Sequence, residues 1–418
     1  MQVSARTHIR LLAIETDRLN EYLYALEGQR TSPRIQGALK VNMARKEPSR
    51  YHNQLTMSKT RHILDKALEG GPLTKREALH LIRCRNIEDT FSLFTTASRV
   101  NALHFGDQVF LYGFVYFSTY CRKGCAFCFY RKTNTRSPRY RKDPEEVAEM
   151  AKRLENSGVH LIDLTMGEDP LIHDGKRYDL LVKMVKAVRD RVGIPIMVSP
   201  GVLPRRVLKS LKEAGADWYA LYQETHNKKL YSTLRLDQSY DERIKAKIQA
   251  SEEGLLIEEG ILLGVGESDA DRVESIFAMK RLGVSQVRAM GFIPQEGSPM
   301  EGRESPPIID EMKTMAVMRL VHPDKLMPAS FDVDGVKGLE LRLASGANVV
   351  SSIIPPSSGL AGVAQPHLGV DEGLRTVESV TPFIHRLGLR VASKKSYLTW
   401  IDEEKERQSS RLKHPSLR

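Results

Sequence analysis

Cysteine is scarce in this chain: 418 residues contain four, at positions 84, 121, 125 and 128. That is too few for a disulfide framework. Three of them fall within eight residues, which points to a reducing compartment and a bound metal rather than cross-links. Long apolar runs are also missing. The longest, Val109 to Phe117, is far below the roughly 20 residues of a membrane span. No apolar segment follows Met1, so a soluble, cytoplasmic protein without a secretory signal is expected. Acidic residues are outnumbered, 52 against 63 Lys and Arg, for a net charge of +11, which raises nucleic acid or an anionic surface as a partner. The excess is confined to the ends. Residues 1–61 carry 11 basic and 5 acidic residues, residues 386–418 carry 9 and 4, and residues 62–385 hold 43 of each. The central body is neutral, so neither nucleic acid nor a membrane is expected as a partner.

Residues 1–61 mix Arg, Ser, Pro and Gln around one short apolar patch, and read as a basic, disordered or loosely helical extension. Residues 62–108 read as N-terminal helices broken at Gly70-Gly71-Pro72. From Val109 the pattern changes to short β-rich runs alternating with helical stretches of roughly 10–15 residues. Strands are expected at Val109–Phe117, His160–Thr165, Pro195–Ser199, Trp218–Tyr222, Leu255–Leu263, Gln286–Phe292, Leu326–Phe331 and Asn348–Ile354. Between them come helices such as Pro144–Asn156, Asp179–Val192, Pro204–Ala214, Tyr240–Glu253, Asp269–Leu282 and Asp310–Leu320, several opened by Asp or Pro and closed by Gly. Eight such units over 109–390 predict an α/β fold, a (βα)8 TIM barrel. A further helix over Asp371–Leu387 and a polar basic tail over 391–418 complete the expectation.

In such a barrel the chemistry sits at the C-terminal ends of the strands. Those ends carry Cys121, Cys125 and Cys128, then Asp163 with Glu168 and Asp169, Ser199, Glu224, Gly264 and Gly266 with Glu267, Arg288, Ser330 with Asp332, and Ser351 with Ser352. The C-x3-C-x2-C spacing directly after the first strand suits three thiolates around one face of an iron–sulfur cluster, with one iron open to a chelating cofactor. The alternative is zinc, with a fourth ligand such as His104.

The cysteine motif, with the aromatic Phe127 before its third cysteine, resembles the radical S-adenosylmethionine (SAM) superfamily. Gly167-Glu168-Asp169-Pro170 is similar to the superfamily segment whose backbone meets the SAM amino group. Gly260-Ile-Leu-Leu-Gly264-Val-Gly-Glu267 is similar to the pattern that packs near adenine, with Leu262 in place of Ile. Seven further blocks in order over residues 62–390 resemble the 3-methylornithine synthase family, lysine mutases of pyrrolysine biosynthesis within the biotin-synthase-like group. They include Val115–Cys121, Asp163–Pro170, Ala220–Thr225, Pro294–Gly297 and Pro328–Asp332.

The resemblance implies a [4Fe–4S] cluster on Cys121, Cys125 and Cys128. It also implies SAM held by Phe127, Gly167, Glu168, Ser199, Glu224, Arg243 and Leu262, and a substrate held by Asp163, Arg288, Ser330 and Asp332. The implied activity is isomerisation of L-lysine to (3R)-3-methyl-D-ornithine through a 5′-deoxyadenosyl radical, with no catalytic side chain beyond the cofactors and a flavodoxin- or ferredoxin-type electron donor. A sulfur-inserting maturase of the same superfamily would need a second cluster, and no cysteine follows Cys128.

Independently of any family, two carboxylates and one guanidinium near a barrel axis complement a diamino acid, with its two ammonium groups and one carboxylate. An internal Arg–Asp pair is the structural alternative. Glu267, Glu296, Ser351 and Ser352 are weaker ligand candidates, and Cys84 reads as a small buried apolar residue. The cluster Arg131, Lys132, Arg136, Arg139, Arg141 and Lys142 reads either as a solvated loop or as a docking patch for the acidic electron donor.

Overall fold

A computed structural model describes residues 58–355 and 375–413, apart from the side chains of Asp332, Val333, Asp334, Val336 and Lys337. Nearly all of the expected 1–61 extension lies outside the described residues. The described chain begins with α1 (Lys59–Leu68), α2 (Lys75–Ile82) and α3 (Ile87–Phe105). Thr74 and Glu77 form a capping box at α2, and Asn86 caps α3 through the Asp89 amide at 2.7 Å. These caps satisfy amides the helices cannot pair internally.

Eight parallel strands follow: β1 (Gln108–Ser118), β2 (Leu161–Met166), β3 (Ile196–Ser199), β4 (Trp218–Ala220), β5 (Leu256–Leu263), β6 (Gln286–Gly291), β7 (Pro328–Ser330) and β8 (Val349–Ile353). All eight expected strands are present, most of them trimmed by one to three residues at the ends. The helices α4 (Pro144–Ser157), α5 (Tyr178–Arg191), α6 (Arg205–Glu213), α7 (Lys228–Leu234), α8 (Tyr240–Glu252), α9 (Asp269–Leu282), α10 (Ile308–Val321) and α11 (Phe331–Ala344) wrap them. β1 is buried on almost every residue, as a strand covered on one face by helices and on the other by the barrel interior must be. The strand order runs β6-β5-β4-β3-β2-β1-β8-β7, a (βα)8 barrel whose seam lies between β6 and β7. There the two segments share only the parallel bridge between Gln286 and Leu326 at their base.

Two expectations need correcting. The helix placed at Asp371–Leu387 is α12 (Val377–Arg386), and residues 371–374 lie outside the described residues. The stretch expected as a polar basic tail holds β9 (Arg390–Val391), which pairs with the start of β1, and the 20-residue helix α13 (Lys394–Lys413). Helix α13 closes the N-terminal end of the barrel. Its Trp400 stacks on Trp218 at 6.0 Å, Tyr397 Oη meets Tyr112 Oη at 2.8 Å, and Glu404 pairs with Lys325 at 2.7 Å. Five well-spaced buried residues do this work on a helix otherwise dense in charge. That charge hid the buried face in the sequence.

Candidate active site

At the opposite, C-terminal end a cavity of about 290 Å³ opens between the strand ends. After β1 the chain leaves the barrel as a long loop that returns to α4. Two anchors hold this loop, the buried Asp169 and the half-buried Arg139. Asp169 accepts both Arg141 Nε (2.6 Å) and Nη2 (2.8 Å) and also Ser118 Oγ (2.6 Å). Arg139 donates to the loop's own carbonyls at Tyr130, Arg131 and Asn134. Lys132 pairs with Asp237, Arg136 with Glu296 and Lys142 with Glu146. Most of the basic cluster is therefore committed to shaping the loop, which weakens its role as a free docking patch.

Cys121, Cys125 and Cys128 are free thiols, and all three line the cavity. Cys84 lies apart, beside Thr60 near the end of α2. Burial pushes the Cys128 thiol up, and Cys125 and Cys121 push it further. Three thiolates this close are disfavoured until cationic iron balances them, so the donor set fits a cluster. The zinc alternative asks for a fourth ligand beside the three cysteines. His104, the fourth ligand that alternative invoked, is exposed in the last turn of α3, ahead of β1 at the other end of the barrel.

The β2 loop lies directly against the cysteine loop. Gly167 donates to Ser118 O at 3.0 Å and Arg122 donates to Glu168 O at 2.9 Å. A Cβ on Gly167 would sit 2.3 Å from Tyr120 O and 2.9 Å from Cys121 Cβ, so only glycine permits this approach. Glu168 folds over Gly201 and pairs with Arg122 at 3.1 Å and Lys123 at 3.5 Å. Burial would raise its carboxyl, but Lys123, His173, Arg243 and Arg122 hold it below the usual range.

Across the cavity, Phe127 and Leu262 belong to one apolar cluster with Phe292 and Met290, a slot suited to a flat aromatic base. Glu224 has φ 66°, an uncommon conformation that costs energy outside glycine. It bridges to β5 through Gly260 O and the Leu262 amide. Its Oε1 accepts from Arg235 Nη2 at 2.5 Å, while Oε2 is buried without a partner. An orphaned carboxylate oxygen beside an apolar slot fits the hydroxyls of a ribose. Arg243 donates through Nε to Tyr222 O at 2.7 Å and also borders the cavity. Ser199, expected on the SAM side, donates to Asp163 Oδ1 at 2.9 Å and so stands at the border with the deeper chamber.

That chamber holds Asp163, Arg288 and Ser330. Burial, then the nearby Glu258, push the Asp163 carboxyl up to about 7, against the hydroxyls of Ser199 and Thr165 and the Arg288 cation. Arg288 donates to Glu258 Oε1 (2.8 Å), Ser330 Oγ (2.9 Å) and Ser351 Oγ (3.2 Å), while its Nη2 is buried and unpartnered. Burial disfavours this cation, but Glu258, Tyr222 and Asp163 keep it protonated. Ser352 lines the cavity as well. Asp332 lies on the first turn of α11, directly after β7, and its side chain lies outside the described residues. Glu267 instead holds the Gly264 and Val265 amides at 2.9 Å, and Glu296 faces Arg136.

Three contributors were not singled out from sequence: Glu258, Arg235 and Gln238. The signal for Glu258 was a pair of adjacent acids, Glu258-Glu259, inside an otherwise apolar strand, where an acid without a partner is costly.

A sequence model of the radical SAM superfamily matches residues 115–279. The chain is 41% identical over 329 residues to 3-methylornithine synthase of Methanosarcina barkeri, covering 78% of this chain and 93% of that one. It belongs to the 3-methylornithine synthase family of radical SAM proteins. The crystal structure of methylornithine synthase (PylB) superposes with a TM-score of 0.77 at 39% identity, covering 81% of this chain and 99% of that one. A more distant relative is the [FeFe] hydrogenase maturase subunit HydE of Thermotoga maritima, 30% identical over 300 residues, 71% of this chain and 84% of that one. As a radical SAM protein the chain uses a [4Fe–4S] cluster and SAM.

Proposed function

We propose that this enzyme isomerises L-lysine to (3R)-3-methyl-D-ornithine, the first step of pyrrolysine biosynthesis. The observation that carries this is the charge pattern of the deep chamber, Asp163 with the Arg288–Glu258 pair, in a chain so similar to 3-methylornithine synthase. When bound, the cluster and SAM supply a 5′-deoxyadenosyl radical able to take hydrogen from an unactivated carbon, which no side-chain base can do.

The protein's part is holding and shielding. Cys121, Cys125 and Cys128 would hold three irons. Phe127 and Leu262 would pack on adenine, Glu224 would bind the ribose, and Arg243, Ser199 and the Gly167–Glu168 backbone would hold the amino-acid end of SAM. Arg288 already spends Nε on Glu258, so its outer edge with Ser330 would grip the lysine carboxylate. Asp163 and Asp332 would take the two ammonium groups. Fixing both ends of the substrate keeps its fragments together while the carbon skeleton rearranges. The apolar walls Tyr222, Met290 and Phe114 would shield the bound substrate from water. We further propose a cytoplasmic setting and a flavodoxin- or ferredoxin-type electron donor. Among the described residues no helix is long and apolar enough to cross a membrane.

The test is anaerobic incubation of the reconstituted enzyme with SAM, a reductant and isotopically labelled lysine, followed by mass spectrometry and NMR. Labelled methylornithine alongside 5′-deoxyadenosine is the expected outcome. Deoxyadenosine with unchanged lysine, and turnover of ornithine instead, would refute the substrate while leaving the enzyme class standing.

A further inference from the structure

Arg235 follows the short helix α7 and reaches three parts of the cavity with one side chain. Its Nη2 donates to Glu224 Oε1 at 2.5 Å, its Nη1 lies 3.7 Å from Cys125 Sγ, and its guanidinium carbon lies 5.3 Å from the centre of the Phe127 ring. The side chain is 90% buried. Three residues on, Gln238 Nε2 donates to the same Cys125 Sγ at 3.0 Å, while Gln238 Oε1 accepts from Arg235 Nη1 (3.4 Å) and Arg243 Nη1 (3.2 Å). One hydrogen-bonded chain thus joins Glu224, Arg235, Gln238, Arg243 and Cys125.

We propose that Arg235 and Gln238 are a positioning pair that couples SAM binding to the reduction potential of the cluster. This rests on the cofactor assignment above but not on the identity of the substrate. The physical reason has two parts. N–H···S bonds and a nearby positive charge draw electron density from a ligating sulfur and favour the reduced cluster. The same guanidinium holds Glu224 Oε1, leaving Oε2 free for the ribose, so any shift of Glu224 on SAM binding is felt at Cys125. A planar fork can serve both sites, whereas an ammonium is a single point charge.

The test uses the full chain with its cluster, and SAM without lysine. Iron and sulfide content, the EPR-monitored midpoint potential with and without SAM, and SAM affinity are measured for wild type, Arg235→Gln, Arg235→Lys and Gln238→Leu. Arg235→Gln should lower the midpoint, shrink the SAM-induced shift, and weaken SAM binding by about tenfold or more, the scale of one lost charge-assisted hydrogen bond. Arg235→Lys should keep the midpoint near wild type and still lose SAM affinity. Gln238→Leu, which removes the shortest N–H···S bond, should lower the midpoint with nearly unchanged affinity, and it serves if the arginine variants fail to fold.

A cluster-loaded Arg235→Gln with wild-type midpoint and wild-type response to SAM would overturn the proposal. An unchanged midpoint in Gln238→Leu would do the same. A wild-type chain that assembles no four-iron cluster would overturn the cofactor assignment beneath it.

Discussion

Replacing Arg288 by Leu tests the electrostatics of the deep chamber without any cofactor. Arg288 and Glu258 lie 2.8 Å apart with side chains 3% and 0% exposed. Removing the guanidinium strands the buried Glu258 beside Asp163. Breaking a buried pair in this way costs on the order of 3–5 kcal/mol, mostly the penalty of the abandoned charge. Asp163, whose carboxyl burial already pushes up to about 7, can relieve the repulsion by binding a proton, and losing the Arg288 cation that opposes this raises it further. Stability from such groups is present at low pH and lost as pH rises through the folded value. The deficit of Arg288→Leu against wild type should therefore be large at pH 8.5 and shrink toward pH 5. Urea unfolding followed by the fluorescence of Trp218 and Trp400 at the barrel base provides the assay. The double variant Arg288→Leu with Glu258→Gln should recover much of the loss at pH 8.5, because no charge is then abandoned. A deficit that does not change with pH, or a double variant no more stable than the single one, would refute the reasoning.

Asp163 must be ionised to hold an ammonium group, and its carboxyl titrates at about 7 in the ligand-free site. KM for lysine should rise as pH falls through 7, and a KM independent of pH between 6 and 8 would count against Asp163 as an ammonium ligand. The same raised pKa makes this group stabilising below about pH 4 and progressively less so as pH passes 7, so the ligand-free chain should unfold more readily at pH 8 than at pH 5.5 on this account. Serine at position 121, 125 or 128 should abolish the brown chromophore and its iron, whereas Cys84→Ser should keep both, as iron analysis after reconstitution will show. Gly167→Ala places a methyl group 2.3 Å from Tyr120 O; overpacking of this kind costs about 1–3 kcal/mol. Its larger effect should fall on SAM affinity, read by equilibrium binding, because the cysteine and β2 loops must part.

The barrel was legible because each strand is a short β-rich run bounded by helix caps, and a fully buried parallel strand such as β1 cannot hide its continuous apolar text. The rim residues were legible through chemistry: Cys121, Cys125 and Cys128 by spacing, and Asp163 and Arg288 as charges at strand ends. Arg235 and Gln238 were not, because they follow a seven-residue helix too short to show a period, and the cysteine they reach, Cys125, lies more than 100 residues earlier in the chain. Glu258 was passed over because its role depends on a bond to Arg288 on the neighbouring strand β6, 30 residues later, that no local pattern encodes. Helix α13 was misread because five buried side chains among twenty look like noise in a charged segment.

Helix α13 also sets an order of events during synthesis. Tyr112 on the first strand waits for Tyr397, 285 residues later, and Trp218 waits for Trp400. While the ribosome is still making the intervening chain, the floor of the barrel exposes an indole and a phenol to solvent and to chaperones. A nascent chain interrupted before residue 397 keeps its cysteines, SAM loop and charged chamber intact in sequence, yet is left without a floor. The aromatic floor that α13 covers is thus the last part of the barrel to be completed.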